Sequence, residues 1–208
     1  MILMEDLAVS RNRLEALVDG IFAFAMTLLI TGLVIPHFLK AEAEAKLAVS
    51  IGEMKSEFIS FLISFFVLAS FWHRHNWLFH HVRRVDSGIM RITLFILAFV
   101  VVLPFTTNIS GDYSHVRFAV DLFHINIFSL GLFFLIHWWY LTRNPHITSV
   151  VISSRDAAKG MLGALVTPFI AALGFAFSYI NPSLSMAAYI LIIPCAAILK
   201  RCFRDDPS

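Results

Sequence analysis

Long apolar stretches alternate with short polar connections along the whole chain. A helix needs about 20 mainly apolar residues to cross the hydrocarbon core of a bilayer. Six stretches approach or exceed this length: Val18–Ile35, Phe58–Phe79, Ile89–Ile109, Phe118–Leu141, Ala157–Ile180 and Leu184–Leu199. The pattern therefore predicts an all-α membrane protein in which six transmembrane helices form one domain over residues 1–208.

Two of the connections carry local signals. The longest, Pro36–Glu57, contains AEAEAKLA, which predicts a helical turn or two outside the bilayer. Pro182 separates the fifth and sixth stretches and predicts a tight turn, because proline cannot continue a helix. No Gly/Ser linker or low-complexity tract marks a second domain.

Composition agrees with a membrane protein and narrows the function. Hydrophobic residues make up 59% of the chain and charged residues 14%, compared with about 25% charged residues in soluble domains. The net charge of +2 gives no indication of nucleic-acid binding. Cys195 and Cys202 are too few for a disulfide framework and are interpreted as apolar filler. The chain has no H-E-x-x-H, G-x-S-x-G or phosphate loop, so we expect no enzyme and no catalytic residue.

Basic residues are distributed unequally between the predicted sides of the membrane. One side holds twelve of the 16 Lys and Arg residues: Arg11, Arg13, Arg74, Arg83, Arg84, Arg91, Arg143, Arg155, Lys159, Lys200, Arg201 and Arg204. The other side holds Lys40, Lys46, Lys55 and Arg117. Since basic residues favour the cytoplasmic side, both termini are predicted to be cytoplasmic. Acidic residues in and before the first stretch are atypical of a cleaved signal peptide, so this helix is predicted to be retained.

Polar residues of the first two predicted helices meet at the cytoplasmic side. A carboxylate near hydrocarbon costs about 2.5–3.5 kcal/mol on insertion scales and usually has a partner. We therefore expect Asp19 or Arg13 to pair with His75 and with the indole donor of Trp72. Contact with headgroup water is the alternative, and it is the favoured interpretation for the residues at the membrane edge: His80, His81, Arg83 and Arg84.

One face of the first helix alternates bulky apolar groups with threonine hydroxyls: Phe24, Thr27, Leu28, Thr31 and Ile35. Small residues beside this face allow close approach of another helix, so the face could be a packing seam. It could also line an ion pore, with apolar side chains as the constriction and hydroxyls as weak cation ligands. Spacing alone favours packing, because such stripes are common.

Nine histidines raise a competing function, a haem or metal membrane protein active in redox chemistry or metal transport. His75, His124 and His137 lie near or within predicted helices. Haem ligation by two histidines needs them at matching depth on facing helices. His124 lies near the outer end of its helix, and no predicted helix carries two central histidines. This alternative is therefore less favoured, and no metal ligand is assigned.

The first helix resembles the transmembrane protein 175 family of potassium channels. Arg13, then Leu17, Val18 and Asp19, then GIFAFAMTLL, follow the family pattern R-x-x-x-F-S-D-G-hydrophobic-F-A-I-A-x-T-L-L. SFFVLASFWHRHNWLF then provides the family's W-x-x-H, and LPFTT follows in the third helix. The resemblance covers about the first half of the chain. Two departures are Leu17–Val18 in place of Phe-Ser, and Phe24 in place of the usual isoleucine.

The resemblance implies a bacterial inner-membrane channel that conducts potassium ions passively and needs no cofactor. It also implies a homotetramer with a central pore formed by the first helix of each subunit, and a hydrophobic constriction instead of a TVGYG filter. By resemblance, the residues that face the pore are Phe24, Leu28 and Thr31, with Thr27 beside them. The residues of the supporting network would be Arg13, Asp19, Trp72 and His75.

Overall fold

The computed structural model describes residues 10–192 and 194–195. Over these residues the chain is helical, apart from its connections and one isolated β-bridge between Val82 and Thr148. The α-helices are α1 (Arg11–Ile30), α2 (Lys40–Glu53), α3 (Lys55–His80), α4 (Ser87–Asp112), α5 (Arg117–Arg143), α6 (Ser154–Ser178) and α7 (Pro182–Ser185). Short 3-10 helices cover Pro145–Ile147 and Met186–Leu191. The all-α prediction is confirmed.

Four helices are long and apolar enough to cross a membrane, namely α3, α4, α5 and α6. They contain the second to fifth predicted stretches, except that α6 ends at Ser178 rather than Ile180. Each helix is about 38–40 Å long at 1.5 Å per residue, which exceeds the hydrocarbon thickness of about 30 Å. The sixth stretch begins as α7 and a 3-10 helix, and most of its remainder lies outside the described residues.

Helix α1 is not among these four helices, although the first stretch was predicted to span the bilayer. The charged side chains of Arg13, Glu15 and Asp19 lie in the first half of α1, which makes that half too polar to face the hydrocarbon of a bilayer. Its apolar part, Gly20–Ile30, is about 16 Å long at 1.5 Å per residue, which is about half the thickness of the hydrocarbon core of a bilayer. A span at this position therefore needs the non-helical residues that follow α1 as well.

The end of α1 lies five residues before the predicted Ile35. Pro36 disfavours helical geometry at Ile35, because its ring clashes with the preceding residue. Closer to the helix, a Cβ atom on Gly32 would overlap the amide of Asn108 from α4. Glycine thus allows the chain to pass against α4 where α1 stops.

Helix α2 corrects the prediction of a helical turn or two. It has 14 residues, and none of them is buried. Ala, Glu, Lys and Leu have high helix propensity, so the helix continues through the whole AEAEAKLA run. An i,i+4 ion pair between Glu42 and Lys46, with an N–O distance of 2.7 Å, contributes a few tenths of a kcal/mol.

The core lies among α3, α4 and α5. Helix α5 packs against α4 and α6, while α1 packs against α3 and α4. The hydroxyl of Thr107 in α4 donates a hydrogen bond to Ser64 in α3 at 2.8 Å. The rings of Phe71 in α3 and Phe134 in α5 stack with centroids 5.0 Å apart. Helix α1 therefore lies at the edge of the bundle and has only one side covered.

Candidate functional site

The two sides of α1 have opposite environments. Its covered side consists of side chains that are at most 1% exposed: Leu14, Val18, Phe22, Ala25 and Leu29. The opposite side, which we call the open face, repeats at intervals of three and four residues and is exposed throughout: Leu17, Gly20, Phe24, Thr27 and Thr31. Leu28 borders this face and is half-buried. All four predicted pore residues thus lie on or beside a surface that their own subunit leaves uncovered.

The threonine hydroxyls of the open face are fixed by the helix backbone. Thr27 Oγ1 donates to the carbonyl oxygen of Phe24, and Thr31 Oγ1 donates to that of Leu28, both at 2.7 Å. A hydroxyl has one proton and two lone pairs, so donating that proton leaves the oxygen lone pairs available. Each threonine therefore presents an acceptor oxygen on the exposed side, which is the group that coordinates a partly dehydrated cation.

Asp19 connects α1 to α3 at one end of the open face. Trp72 Nε1 donates to Asp19 Oδ1 at 2.9 Å, so the expected contact between these two side chains is present. Both side chains are exposed in the single chain. This hydrogen bond is charge-assisted, and it restrains the rotation of α1 about its axis relative to α3.

His75 does not pair with Asp19 or Arg13, which corrects that part of the predicted network. Positions three apart on a helix differ by about 60° around its axis, so His75 points into the bundle where Trp72 points toward α1. His75 is fully buried, and neither ring nitrogen has a hydrogen-bond partner among the described residues. Its ring stacks on Phe79 with centroids 4.3 Å apart and lies 6.4 Å from Phe22 of α1.

Arg13 also differs from the expected arrangement. Its side chain is exposed, and within the described part of the chain it forms no hydrogen bond or ion pair. The neighbouring Arg11 instead forms an ion pair with Glu15, with an N–O distance of 3.0 Å. The contact that holds α1 within one subunit is therefore the Asp19–Trp72 hydrogen bond together with apolar packing.

His124 has a structural role that the sequence did not indicate. Its Nδ1 lies 2.8 Å from the hydroxyl of Tyr189, and its Nε2 lies 2.9 Å from Ser185 Oγ. Ser185 Oγ also donates to the carbonyl oxygen of Pro182 at 2.7 Å. These bonds are all satisfied when Tyr189 donates to Nδ1 and Nε2 donates to Ser185. Both ring nitrogens are thus engaged in holding α7 and the following 3-10 helix against α5.

The other two histidines considered as haem ligands lie close together but leave little space. The ring centroids of His75 and His137 are 6.0 Å apart, and both side chains are fully buried. Phe79 lies 4.3 Å from His75 and 5.9 Å from His137, and Phe134 lies 6.3 Å from His75. These phenyl rings occupy the volume that a macrocycle would need. Within residues 10–192 and 194–195, no group of three or more His, Cys, Asp or Glu side chains could hold a metal ion.

Similarity to known proteins identifies the family. A potassium channel of Streptomyces collinus (strain DSM 40733 / Tue 365) is 30% identical over 191 residues, which cover 87% of this chain and 88% of that protein. A family profile described as "Endosomal/lysosomal potassium channel TMEM175" matches residues 13–104. The chain belongs to the TMEM175 family. This confirms the resemblance found in the first half of the sequence.

A TMEM175 protein of known structure and a TMEM175 protein from an animal extend the comparison. The crystal structure of a lysosomal potassium-selective channel TMEM175 homologue from Chamaesiphon minutus superposes with a TM-score of 0.77 at 24% identity, covering 91% of this chain and 97% of that chain. This likeness shows that the fold is shared. A Bos taurus protein named "Endosomal/lysosomal proton channel TMEM175" is 26% identical over 211 residues, covering 92% of this chain and 43% of the bovine protein. The profile match over residues 13–104 contains the open face and Trp72.

Proposed function

We propose that this TMEM175 chain is one subunit of a potassium-preferring cation channel, a homotetramer in which the α1 helices surround a central path. The open face carries the proposal. It combines Phe24, which is 65% exposed, with two hydroxyls whose acceptor oxygens point away from the subunit. One copy of this face cannot enclose a path, whereas four copies around a symmetry axis can. Closed cyclic symmetry is the usual arrangement of homo-oligomers.

In this arrangement Phe24 forms the hydrophobic constriction and Leu28 supports it from the border of the open face. Four phenyl rings at one level exclude water when the path is closed, which is gating by dewetting. Thr27 and Thr31 lie one and two helical turns further along and offer hydroxyl oxygens to an ion that has lost part of its hydration shell. The channel conducts passively and needs no cofactor beyond the permeant ion.

The proposed support of the path acts at the middle of α1 and just beyond its C-terminal end. The Asp19–Trp72 hydrogen bond fixes the middle of the helix, and the close passage of Gly32 against Asn108 fixes the chain where α1 ends. His75 belongs to this support through its packing beneath Phe22 of α1 rather than through a hydrogen bond. We assign Arg13 to contacts between subunits, because it has no ionic or hydrogen-bonding partner among the described residues of its own chain.

We further propose that the chain forms one six-span domain in the bacterial inner membrane with both termini in the cytoplasm. The four long apolar helices and the basic residues at one side of the predicted membrane support this placement. Besides these four helices, α1 together with the non-helical residues after it supplies the first span along the chain, and the stretch from Leu184 supplies the last. The polar first half of α1 suits a helix that lines an aqueous vestibule rather than one that faces lipid.

The proposal is tested by purifying the protein and measuring its mass and its transport on the same preparation. Light scattering in nanodiscs should give a protein mass of about 94 kDa, which is four times 23.5 kDa. Liposomes with an outward potassium gradient should show potassium flux that exceeds sodium flux. Because the bovine relative is named a proton channel, an internal pH dye should be read in parallel. A monomer in several detergents and in nanodiscs, or flux equal to that of empty liposomes, would contradict the proposal.

A further inference from the structure

The LPFTT segment of α4 combines two features that weaken a helix. Pro104 lies inside the helix and has no N–H group, so the carbonyl oxygen of Val100 loses its helical donor. Two residues later, the hydroxyl of Thr106 donates to the carbonyl oxygen of Leu103 at 3.0 Å. A threonine that bonds to its own backbone in this way often bends a helix. The backbone ladder of α4 is therefore weakest at this turn, because proline is also the commonest site of sharp kinks.

Asn126 of α5 brings a buried amide to the same turn. Its side chain is 3% exposed, and its amide lies 3.3 Å from the carbonyl oxygen of Phe99 and 3.3 Å from the backbone nitrogen of Leu103. The amide also lies 3.3 Å from Thr106 Oγ1. With Nδ2 directed at Phe99 and Oδ1 at Leu103, both backbone contacts are hydrogen bonds. Since these two backbone groups are the partners of one i→i−4 helical bond, Asn126 bridges the turn that precedes Pro104.

The part of α4 beyond the proline, residues 105–112, contacts both α3 and α1, and we call it the distal segment. Thr107 donates a hydrogen bond to Ser64 of α3 at 2.8 Å. The amide of Asn108 touches Gly32, where the chain leaves α1. The distal segment thus lies directly against the end of the helix that carries the open face.

A small tilt of the distal segment is enough to move the end of α1. Asn108 lies four residues beyond Pro104, or about 6 Å along the helix axis. A tilt of about 20°, the size at which a kink counts as sharp, displaces Asn108 by about 2 Å. Gly32 directly follows Thr31, so this displacement reaches the open face at its last hydroxyl.

We propose that the turn at Pro104 is a hinge, that Asn126 is the positioning residue that restrains it, and that tilting of the distal segment gates the ion path by moving the end of α1. The gating step rests on the proposed function, whereas the hinge does not depend on it. Pro104 permits the motion because no helical bond reaches Val100. Asn126 restrains it because two hydrogen bonds from one rigid amide hold Phe99 and Leu103 in a fixed relation.

Helix α6 provides a matched control for the proline. Pro168 also lies inside a long apolar helix, and a Cβ atom on Gly131 of α5 would overlap its ring. Helix α6 packs against α5 and against the segments that follow α6. Pro168→Ala therefore alters a buried proline of the same kind, in a helix other than the one that touches Gly32.

Double electron–electron resonance measures the hinge directly. Spin labels at exposed Arg91 and Tyr113, on either side of Pro104, lie about 33 Å apart along the axis at 1.5 Å per residue. Labelled subunits without native cysteines are diluted with unlabelled subunits, so that distances within one chain are measured. We expect the distance distribution to narrow in Pro104→Ala, to broaden in Asn126→Leu and to stay at the parent width in Pro168→Ala.

Single-channel recording in planar bilayers measures the effect of the hinge on the path. Asn126→Leu should shorten the mean open and closed times about tenfold, and Pro104→Ala should lengthen them about tenfold, the factors expected when about one hydrogen bond is lost or gained. Conductance and the potassium-to-sodium permeability ratio should stay at parent values, because neither residue belongs to the open face. Pro168→Ala should leave the open and closed times unchanged.

Three results would overturn the proposal. Equal distance distributions in the parent, Pro104→Ala and Asn126→Leu would show that α4 is rigid, whether or not the protein conducts. Distributions that change as expected, with open and closed times at parent values, would show that the hinge is not coupled to α1. A lower Tm of Asn126→Leu with parent distances and parent gating would make Asn126 purely structural. If Asn126→Leu does not fold, Pro104→Ala decides by the same two readouts. A parent without any channel current would refute the proposed function, and the distance distributions would still decide the hinge.

Discussion

Phe24→Ala distinguishes a pore-facing α1 from a packing helix, and Phe22→Ala on the same helix is its matched control. Phe22 is fully buried, so its truncation should cost about 3–5 kcal/mol of stability. Phe24 is 65% exposed, so about a third of its surface is buried within the subunit. At about 1.5–3 kcal/mol for full burial of such a side chain, Phe24→Ala should cost about 0.5–1 kcal/mol.

The assay measures thermal unfolding and liposome potassium flux on the same preparations. A loss of 1 kcal/mol lowers the Tm of a chain of this length by about 2–4 °C, so Phe22→Ala should lower it by about 10 °C and Phe24→Ala by about 2 °C. Removing the phenyl ring from each subunit widens the constriction and eases its wetting. We expect about a tenfold higher potassium flux for Phe24→Ala, which corresponds to a barrier lower by about 1.4 kcal/mol. Discrimination between potassium and sodium should weaken.

One pattern of results would refute this reasoning. If Phe24→Ala destabilises the protein as strongly as Phe22→Ala while flux and selectivity stay at parent values, then Phe24 packs against helices of another subunit. The ion path would then lie elsewhere in the assembly, and the open face would be a subunit interface.

Three further outcomes are expected. Trp72→Phe removes the donor to Asp19 and should cost about 1 kcal/mol in the free energy of unfolding or of channel opening. Trp77→Phe, the control, should have no such effect, and equal effects of the two changes would show that the hydrogen bond does not matter. Thr31→Val should alter the potassium-to-sodium permeability ratio while Thr31→Ser preserves it, and identical reversal potentials for both variants would exclude a hydroxyl ligand. A cysteine placed at exposed Ala45 of α2, in a background without the native cysteines, should react with an impermeant thiol reagent in intact cells. Reaction only after permeabilisation would show that the topology is the reverse of the one proposed.

The long helices could be predicted from the sequence because the apolar runs and the helices coincide. Phe58–Phe79 lies within α3 (Lys55–His80), and Ile89–Ile109 lies within α4 (Ser87–Asp112). Each of these helices continues through polar residues at both ends that hydropathy does not include. Continuous apolar stretches of this length have no other stable form in a bilayer, so their existence and type follow directly from composition.

The ends of α1 and the partners of its polar residues could not be obtained in this way. Gly32 meets Asn108 across 76 positions of sequence, and no local pattern indicates that contact. The choice between Trp72 and His75 as the partner of Asp19 depends on how α3 is rotated about its axis, which tertiary packing decides. The same holds for His124, because its partners Ser185 and Tyr189 are distant in the sequence and meet α5 only through the packing of α7 and the following 3-10 helix.

The periodicity of α1 did predict which residues share a face, but not which face is uncovered. Both faces are apolar, and the covered one contains Phe22 and Leu29 where the open one contains Phe24 and Thr31. Helical spacing cannot rank two apolar faces by burial. The position of α1 beside α3 and α4 resolves this choice.

Cysteine accessibility along α1 tests most directly whether the open face lines the ion path. In a background without native cysteines, Thr27→Cys and Ala25→Cys are treated with a positively charged methanethiosulfonate during potassium-current recording in planar bilayers. Thr27 lies on the open face, whereas Ala25 is 1% exposed on the covered side. We expect modification of the Thr27→Cys variant to abolish the potassium current and the Ala25→Cys variant to be unaffected. An unchanged current after complete modification of Thr27→Cys, verified by mass spectrometry, would contradict a path lined by α1.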